Sequence, residues 1–405
     1  MLVPPDQRFT CGQCGRCCRR ATVPVTRAEA EAYRREGAAR WFSEPGDPFE
    51  PVPGRASLLQ IRHRADGGCG FLSDSGLCRI HEELGFDRKP LACRVFPLRF
   101  HPIEGDVVVT TSFACPTIIA NDGDLLPAQS REIGRLYVAW KEAQPESPRR
   151  VELVAGHALA PAMVQTLRST LSRILDIPGP DGSFDVALSV RRIAAFVEDL
   201  SRRQVLRLSA DDFSQYVDVM SRHVLNPERV PPTRMPSTLT RLLFRGFLLA
   251  VASVQSHLDP EIRHRPNAIR ARLVRLALHL HGFGPAAAGF DLPAARQVTL
   301  DVADDEIREI ATHYLRSVVT TLGTGRRPIV DELSMAVAYL NAACVLARMQ
   351  SARLNYRTVD AESFTQGLLQ SADPAQADDG SMFSRLLTTL SGGVESFYLF
   401  PASTI

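Results

Sequence analysis

The chain has 405 residues, 45% hydrophobic and 23% charged, values near the average for soluble globular proteins, which excludes a disordered chain and a collagen-like fibre. At roughly 150 residues per domain, the length predicts about two to three domains. Lysine plus arginine (47) against aspartate plus glutamate (45) leaves +2, far from the basic excess of a protein that neutralises many nucleic-acid phosphates. Bulk nucleic-acid binding is not expected.

In chain order, the first residues lack a basic segment followed by an apolar run and a small-residue cleavage site, so a reducing, cytoplasmic setting is expected. Cys11, Cys14, Cys17 and Cys18 follow at once. Thr26-x-x-Glu29 has the form of a capping box, which predicts a helix from about Arg27 to Phe42. Leu58 to Arg62 reads as a strand. The turn-forming Ser73 to Gly76 predicts a hairpin between 69–72 and 77–80, bringing Cys69 near Cys78. A second hairpin is expected between 95–101 and 107–113, leading into Cys115-Pro116.

Beyond Leu125 helical periodicity takes over. Helices are expected near 128–142, 151–175, 185–203, 210–224, 237–257, 267–282, 304–322, 329–353, 360–370 and 380–398. The apolar stretches Phe247 to Val254 and Met335 to Tyr339 fall short of the roughly 18 to 20 residues that span a bilayer, and no membrane helix is expected. The reading is an α+β fold: a small irregular cysteine-rich metal-binding domain with short hairpins at residues 1–120, then a larger all-α helical domain at 121–405.

Eight of the nine cysteines fall in the first 115 residues: Cys11, Cys14, Cys17, Cys18, Cys69, Cys78, Cys93 and Cys115. A Cys-x-x-Cys turn aims two thiolates at one ion, the spacing used by zinc and iron–sulfur sites, and Gly12 and Gly15 let the backbone turn that tightly. Vicinal cysteines close on each other only with strain, so Cys17 and Cys18 are expected to face different partners. Eight thiols suffice for two tetrahedral sets, or for one site plus further thiols. Clustered thiolates need compensating charge, which Arg16, Arg19, Arg20, Arg79 and Arg94 are placed to supply.

The order of these motifs resembles the CxxCxxCC cysteine-cluster family (YkgJ-like), described as zinc- or iron-chelating domains and including flagellin lysine N-methylases. The matching elements are Phe9-x-Cys11-x-x-Cys14-x-x-Cys17-Cys18, Cys69-x-Phe71-Leu72 with Cys78-x-Ile80, Lys89-Pro90-x-x-Cys93-Arg94-x-Phe96-Pro97, and Cys115-Pro116. They cover about residues 8 to 118. Lys89 stands where the family usually has arginine. The resemblance implies an iron–sulfur cluster, with the 4Fe–4S type favoured, or zinc on these cysteines. It further implies S-adenosylmethionine-dependent methylation of a protein lysine, with a protein such as flagellin as substrate. The alternatives are a non-catalytic metal-stabilised interaction module and a metal-chelating or redox electron-transfer protein.

Other features carry less chemistry. Gly282-x-Gly284 through Gly289 follows a helix and reads as a loop rather than a nucleotide fingerprint. The i, i+4, i+7 cysteine spacing of radical-type sites is absent. His63, His81 and His101 stand near the cysteine blocks as possible replacement ligands, with a surface or hydrogen-bonded role the plainer reading. Cys344 reads as a small core residue, Arg326-Arg327 as a solvated pair, and Asp301, Asp304, Asp305 and Glu306 as a first helical turn.

Overall fold

The computed structural model describes residues 1–20, 23–52, 55–144, 146–179, 182, 184–200, 205–226, 244–246, 248–249, 251, 266–280, 291–301 and 304–372. Its first part is a small mixed α+β assembly. The short helix α1 (Arg16–Arg20) carries the vicinal cysteines and is followed by β1 (Pro24–Thr26), α2 (Arg27–Arg35), β2 (Phe49–Val52) and β3 (Arg55–Ile61). The three strands form one antiparallel sheet in the order β1-β3-β2, with Val25 opposite Leu59 and Phe49 opposite Ile61. Period-two alternation puts these four on one face, where they pack with Ala30 and Tyr33 of α2 and with Phe71 and Ile80.

The capping box at the start of α2 is complete. Thr26 Oγ1 accepts from the Glu29 amide at 3.1 Å, and Glu29 Oε2 accepts from the Thr26 amide at 2.8 Å. The helix ends at Arg35, short of Phe42, because Gly37 turns left-handed at φ 71°, and a single 3-10 turn covers Ala38–Trp41. The expected hairpin around Ser73 is reduced to one bridge, Leu72 to Cys78. From Arg79 the chain becomes α3 (Arg79–Leu84), which buries Ile80 in the core. Next comes α4 (Leu91–Val95), which takes Val95 from the predicted strand. The second hairpin forms with shifted bounds: β4 (Leu98–Ile103) pairs with β5 (Asp106–Thr111) across a turn with Gly105 at φ 84°.

That hairpin has a different core on each side. Phe100 and Val109 pack with Ile133, Leu136 and Trp140 of α6 (Ser130–Ala143). Ile103 and Val108 instead join the large helical core, together with Cys115 and with Ile118 and Ile119 of α5 (Pro116–Ile119). The remaining helices are α7 (Pro161–Leu175), α8 (Val186–Leu200), α9 (Ala210–Leu225), α10 (Pro266–Leu280), α11 (Leu292–Arg296), α12 (Asp305–Thr320), α13 (Ile329–Arg353) and α14 (Ala361–Ala372). The helix expected over 151–175 begins only at Pro161, because residues 152–158 form a bridged turn with Gly156 at φ 82°. The five-residue α11, capped by the Asp291 side chain, is too short for periodicity to reveal. The helix expected at 380–398, the glycine cluster 282–289 and most of 237–257 lie outside the described residues.

By length and composition α13 qualifies as a membrane span, with mean hydropathy 1.5 over its most apolar 18 residues, contrary to the reading of its short apolar runs; 83% of that window is buried inside the fold. A helix apolar all round is one surrounded by protein. Gly367 of α14 lets this happen at close range, since a Cβ there would collide with the Ala343 carbonyl of α13.

Candidate metal centre

The first cysteine turn is set by backbone geometry that few residues adopt. Gln13 and Gly15 both lie in the left-handed region, at φ 51° and 66°, and a Cβ on Gly15 would stand 3.0 Å from the Gly76 carbonyl. This close approach brings the turn against the loop that carries Cys78. The Arg19 amide donates to Gly15 O at 3.0 Å, starting α1 and placing Cys17 and Cys18 in its first turn. Their Sγ atoms are 3.9 Å apart.

The other thiols reach the same place from separate segments. The Cys69 amide donates to Cys18 O at 2.6 Å, so the second block lies directly on the first. Ser73 closes the turn between Cys69 and Cys78: its amide donates to Leu77 O at 2.8 Å, and its Oγ accepts from the Leu77 amide at 3.0 Å. Cys78 then sits at the N-cap of α3. Cys93 lies in α4, whose first amide, that of Leu91, donates to Glu29 Oε1 at 3.1 Å. Cys115 caps α5, with Pro116 in the first turn.

The result is one cavity of about 240 Å³ lined by Cys11, Cys14, Cys17, Cys18, Cys78, Cys93 and Cys115. Cys69, buried beside Phe71 and Leu72, stands behind its wall. All nine cysteines of the chain are free thiols. Lys89 supplies an ammonium to the lining, alongside Glu82 and His81, and Phe9, Phe96 and Pro116 supply apolar surface.

Burial governs the charge of these groups. It pushes the Cys69 thiol up to about 12 and raises Cys93 and Cys115 as well. Cys17 is raised first by its hydrogen bond with Cys18 and then by burial. Burial alone would lower Lys89, but Cys78, Cys93, Cys11 and Cys18 outweigh it, and the ammonium is held above its ordinary value. Cys17, Cys69, Cys93 and Cys115, raised in this way, remain protonated near neutrality until a cation replaces the proton.

The donor set suits a thiophilic metal: soft sulfur ligands, a poorly hydrated wall and one nearby ammonium. Among the described residues, however, no three histidine, cysteine, aspartate or glutamate side chains are gathered as ligands around one point. The thiols ring a volume, and ligation requires side chains to turn inward.

Several expected roles come out differently. Of the arginines beside the cysteines, Arg16 Nη1 donates to Gln366 of α14 at 3.3 Å, and Arg19 Nη1 donates to Cys14 O at 3.3 Å. The ammonium in the cavity belongs to Lys89, whose place in the third cysteine block was visible but whose role was not. His81 lines the cavity, with its ring 5.9 Å from that of Phe86. His101 is buried instead in a structural pairing: Arg326 Nε donates to its Nδ1 at 2.9 Å, and its Nε2 lies 2.9 Å from Thr110 Oγ1. Arg326 is therefore no solvated pair member. Two readings hold: Asp304, with Asp305 and Glu306 in the first turn, caps α12 by accepting from the Glu306 and Ile307 amides, and Cys344 packs half-buried against the helical core.

No curated protein and no solved structure matches the chain. Residues 10–116 match the model of the CxxCxxCC family, described as a "Putative zinc- or iron-chelating domain", and the N-terminal part of the chain is a domain of that family.

Proposed function

We propose that the chain is a metal–thiolate protein in which the metal has a structural, non-catalytic role and the helical region serves as an interaction module for a protein partner. The carrying observation is that seven thiols from four separate stretches of chain line one cavity. Those stretches are built on helices of four to six residues, too short to persist without tertiary support. Metal–thiolate bonds among them supply folding free energy directly, because the ligand set does not exist in the unfolded chain. Cys11, Cys14, Cys17, Cys18, Cys78, Cys93 and Cys115 would hold the metal from the cavity wall and Cys69 from behind it, releasing their protons as thiolates form. Nine free thiols suit a reducing, cytoplasmic compartment.

Methylation of a protein lysine with S-adenosylmethionine has no supporting observation among the described residues, and this reading does without it. The test is the content of zinc, iron and acid-labile sulfide, with a visible spectrum, on protein purified without oxygen, beside a Cys17→Ser/Cys18→Ser variant. Zinc without sulfide, lost in the variant, is the expected result. Iron with stoichiometric sulfide would replace zinc by a cluster and favour the electron-transfer reading. Protein that holds neither metal overturns the proposal.

A further inference from the structure

The cysteine cavity lies between two hydrophobic cores, and its thiols divide between them. Cys69 is a buried member of the small core formed around β1–β3 and α2, and Cys18, Cys78 and Cys93 pack against that same core. Cys115 is instead a buried member of the helical core. Its neighbours in the chain are fastened there: the Phe113 ring meets that of Tyr314 edge-on at 4.9 Å, and His313 Nε2 lies 3.0 Å from Ile118 O. Cys11 and Cys14 are exposed on the intervening loop, which reaches the helical region through Arg16 and Gln366.

Resting on the metal–thiolate reading above, we propose that the eight thiols form two metal-holding sets. Cys69, Cys78 and Cys93 make an inner set anchored in the small core, Cys11, Cys14 and Cys115 make an outer set anchored in the helical core, and Cys17 and Cys18 complete one set each. The 3.9 Å between the vicinal sulfurs puts the two sets side by side. Lys89, influenced by Cys78 and Cys93 of the inner set and Cys11 of the outer one, is placed to offset the charge of both.

The two sets have different consequences. Metal in the inner set ties together only the short elements of the N-terminal region. Metal in the outer set joins the 11–18 loop to Cys115 and hence to α5 and α12, so it fastens the small region to the helical one.

The experiment measures bound zinc and iron per chain in the 405-residue protein and in four single variants, and follows hydrogen exchange at residues 117–119 and 305–320. Cys14 is exposed and Cys78 half-buried, so Cys14→Ser and Cys78→Ser probe the two sets without opening a core; Cys115→Ser and Cys93→Ser are their buried counterparts. The inference expects Cys78→Ser and Cys93→Ser to lose one and the same share of the metal, and Cys14→Ser and Cys115→Ser to lose the other. It also expects exchange at 117–119 and 305–320 to rise in Cys14→Ser and to stay unchanged in Cys78→Ser. If wild-type protein holds metal and Cys14→Ser and Cys78→Ser lose the same share, the division into two sets is wrong while the metal–thiolate reading stands. If wild-type protein holds none, both fall.

Discussion

Between Cys11 and Cys93 the longest helix has nine residues and the longest strand seven, whereas beyond Ser130 the helices reach 25 residues. The small region buries a modest apolar core around Phe49, Phe71 and Ile80. The helical region buries Phe196, Phe213 and Phe364 almost completely, with a central helix surrounded on all sides. Apolar burial at roughly 25 cal/mol per Å² can hold the second together; the first is short of such area and carries thiols in its place. On the proposed metal–thiolate reading, the difference assigns metal to the stability of the small region. Removing metal should loosen the small region and its joint with α5 and α12 while leaving the rest of the helical core intact, and damage to that core away from Cys115 should leave the thiols able to bind.

The largest expected effect tests the helical side. Phe196 is fully buried, and Phe196→Ala is expected to cost about 3–5 kcal/mol through lost burial and a residual cavity. Urea unfolding followed by far-ultraviolet circular dichroism measures the loss. Below the unfolding transition the bound metal per chain should equal that of wild type. A proportional loss of metal in folded Phe196→Ala protein would break the separation between the regions.

The next effect falls on the joint between them. His101 on β4 is buried and accepts from Arg326. Burial first, and then the charges of Arg326, Arg99 and Arg149, depress it to about 3. The unfolded chain, with an ordinary histidine near 6.5, binds a proton that the native state refuses, so stability falls as pH drops from about 6.5 towards 3. The slope is on the order of 1 kcal/mol per pH unit. Acid also competes with metal for thiolates, in wild type and variant alike. Comparing urea midpoints of wild type and His101→Asn at pH 7, 6 and 5 isolates the histidine: the variant should start less stable and lose less on acidification. Parallel pH profiles would remove His101 from the joint.

Much of the molecule was legible in the sequence where the physics is local. Thr26 and Glu29 announced the start of α2, Gly105 marked the turn of the β4–β5 hairpin, and helical periodicity found α7 to α9, α12 and α13 because each exposes one face or packs several turns. The cysteine spacing likewise announced the donors. What the sequence withheld is set by distant contacts. Arg326 meets His101 across 225 positions and Arg16 meets Gln366 across 350, and no local pattern encodes either pairing. The same holds for Cys115, whose attachment to the helical core depends on residues of α12. The failed hairpin at 77–80 has a tertiary cause too, since Ile80 reaches its pocket only if the chain turns helical after Cys78.

A smaller effect tests the packing of the small region. Gly70 is buried against the Phe42 ring, onto which an added Cβ would fall. That ring is fixed by Phe71, edge-on at 5.4 Å, and by the Arg62 guanidinium 5.0 Å from its centre. Gly70→Ala is therefore expected to cost about 1–3 kcal/mol by overpacking and to displace its neighbour Cys69. Zinc titration of metal-stripped protein should show weaker binding, while the unfolding of the helical region is unchanged. Unaltered zinc affinity would show that the thiols tolerate disorder in the core beside them, and would weaken the contrast drawn between the two regions.

The smallest effect separates a helix cap from a strut of the metal centre. Thr26 and Glu29 form one capping box, but Glu29 does a second thing: its Oε1 accepts from the Leu91 amide at the start of the helix that carries Cys93. Thr26→Ala removes the hydroxyl that accepts from the Glu29 amide and donates to Glu29 Oε2 at 3.0 Å, but leaves the Thr26 amide–Glu29 and Leu91 amide–Glu29 bonds in place, a loss of about 1 kcal/mol. Glu29→Ala removes the reciprocal bond and the support of α4 together. Both variants should therefore be destabilised, with Thr26→Ala keeping wild-type zinc affinity and Glu29→Ala binding more weakly; Glu29→Gln, which retains a carbonyl acceptor, should restore part of the binding. Equal zinc affinities for the two alanine variants would mean that Cys93 is positioned by its own core contacts, with the Glu29–Leu91 bond contributing to stability alone.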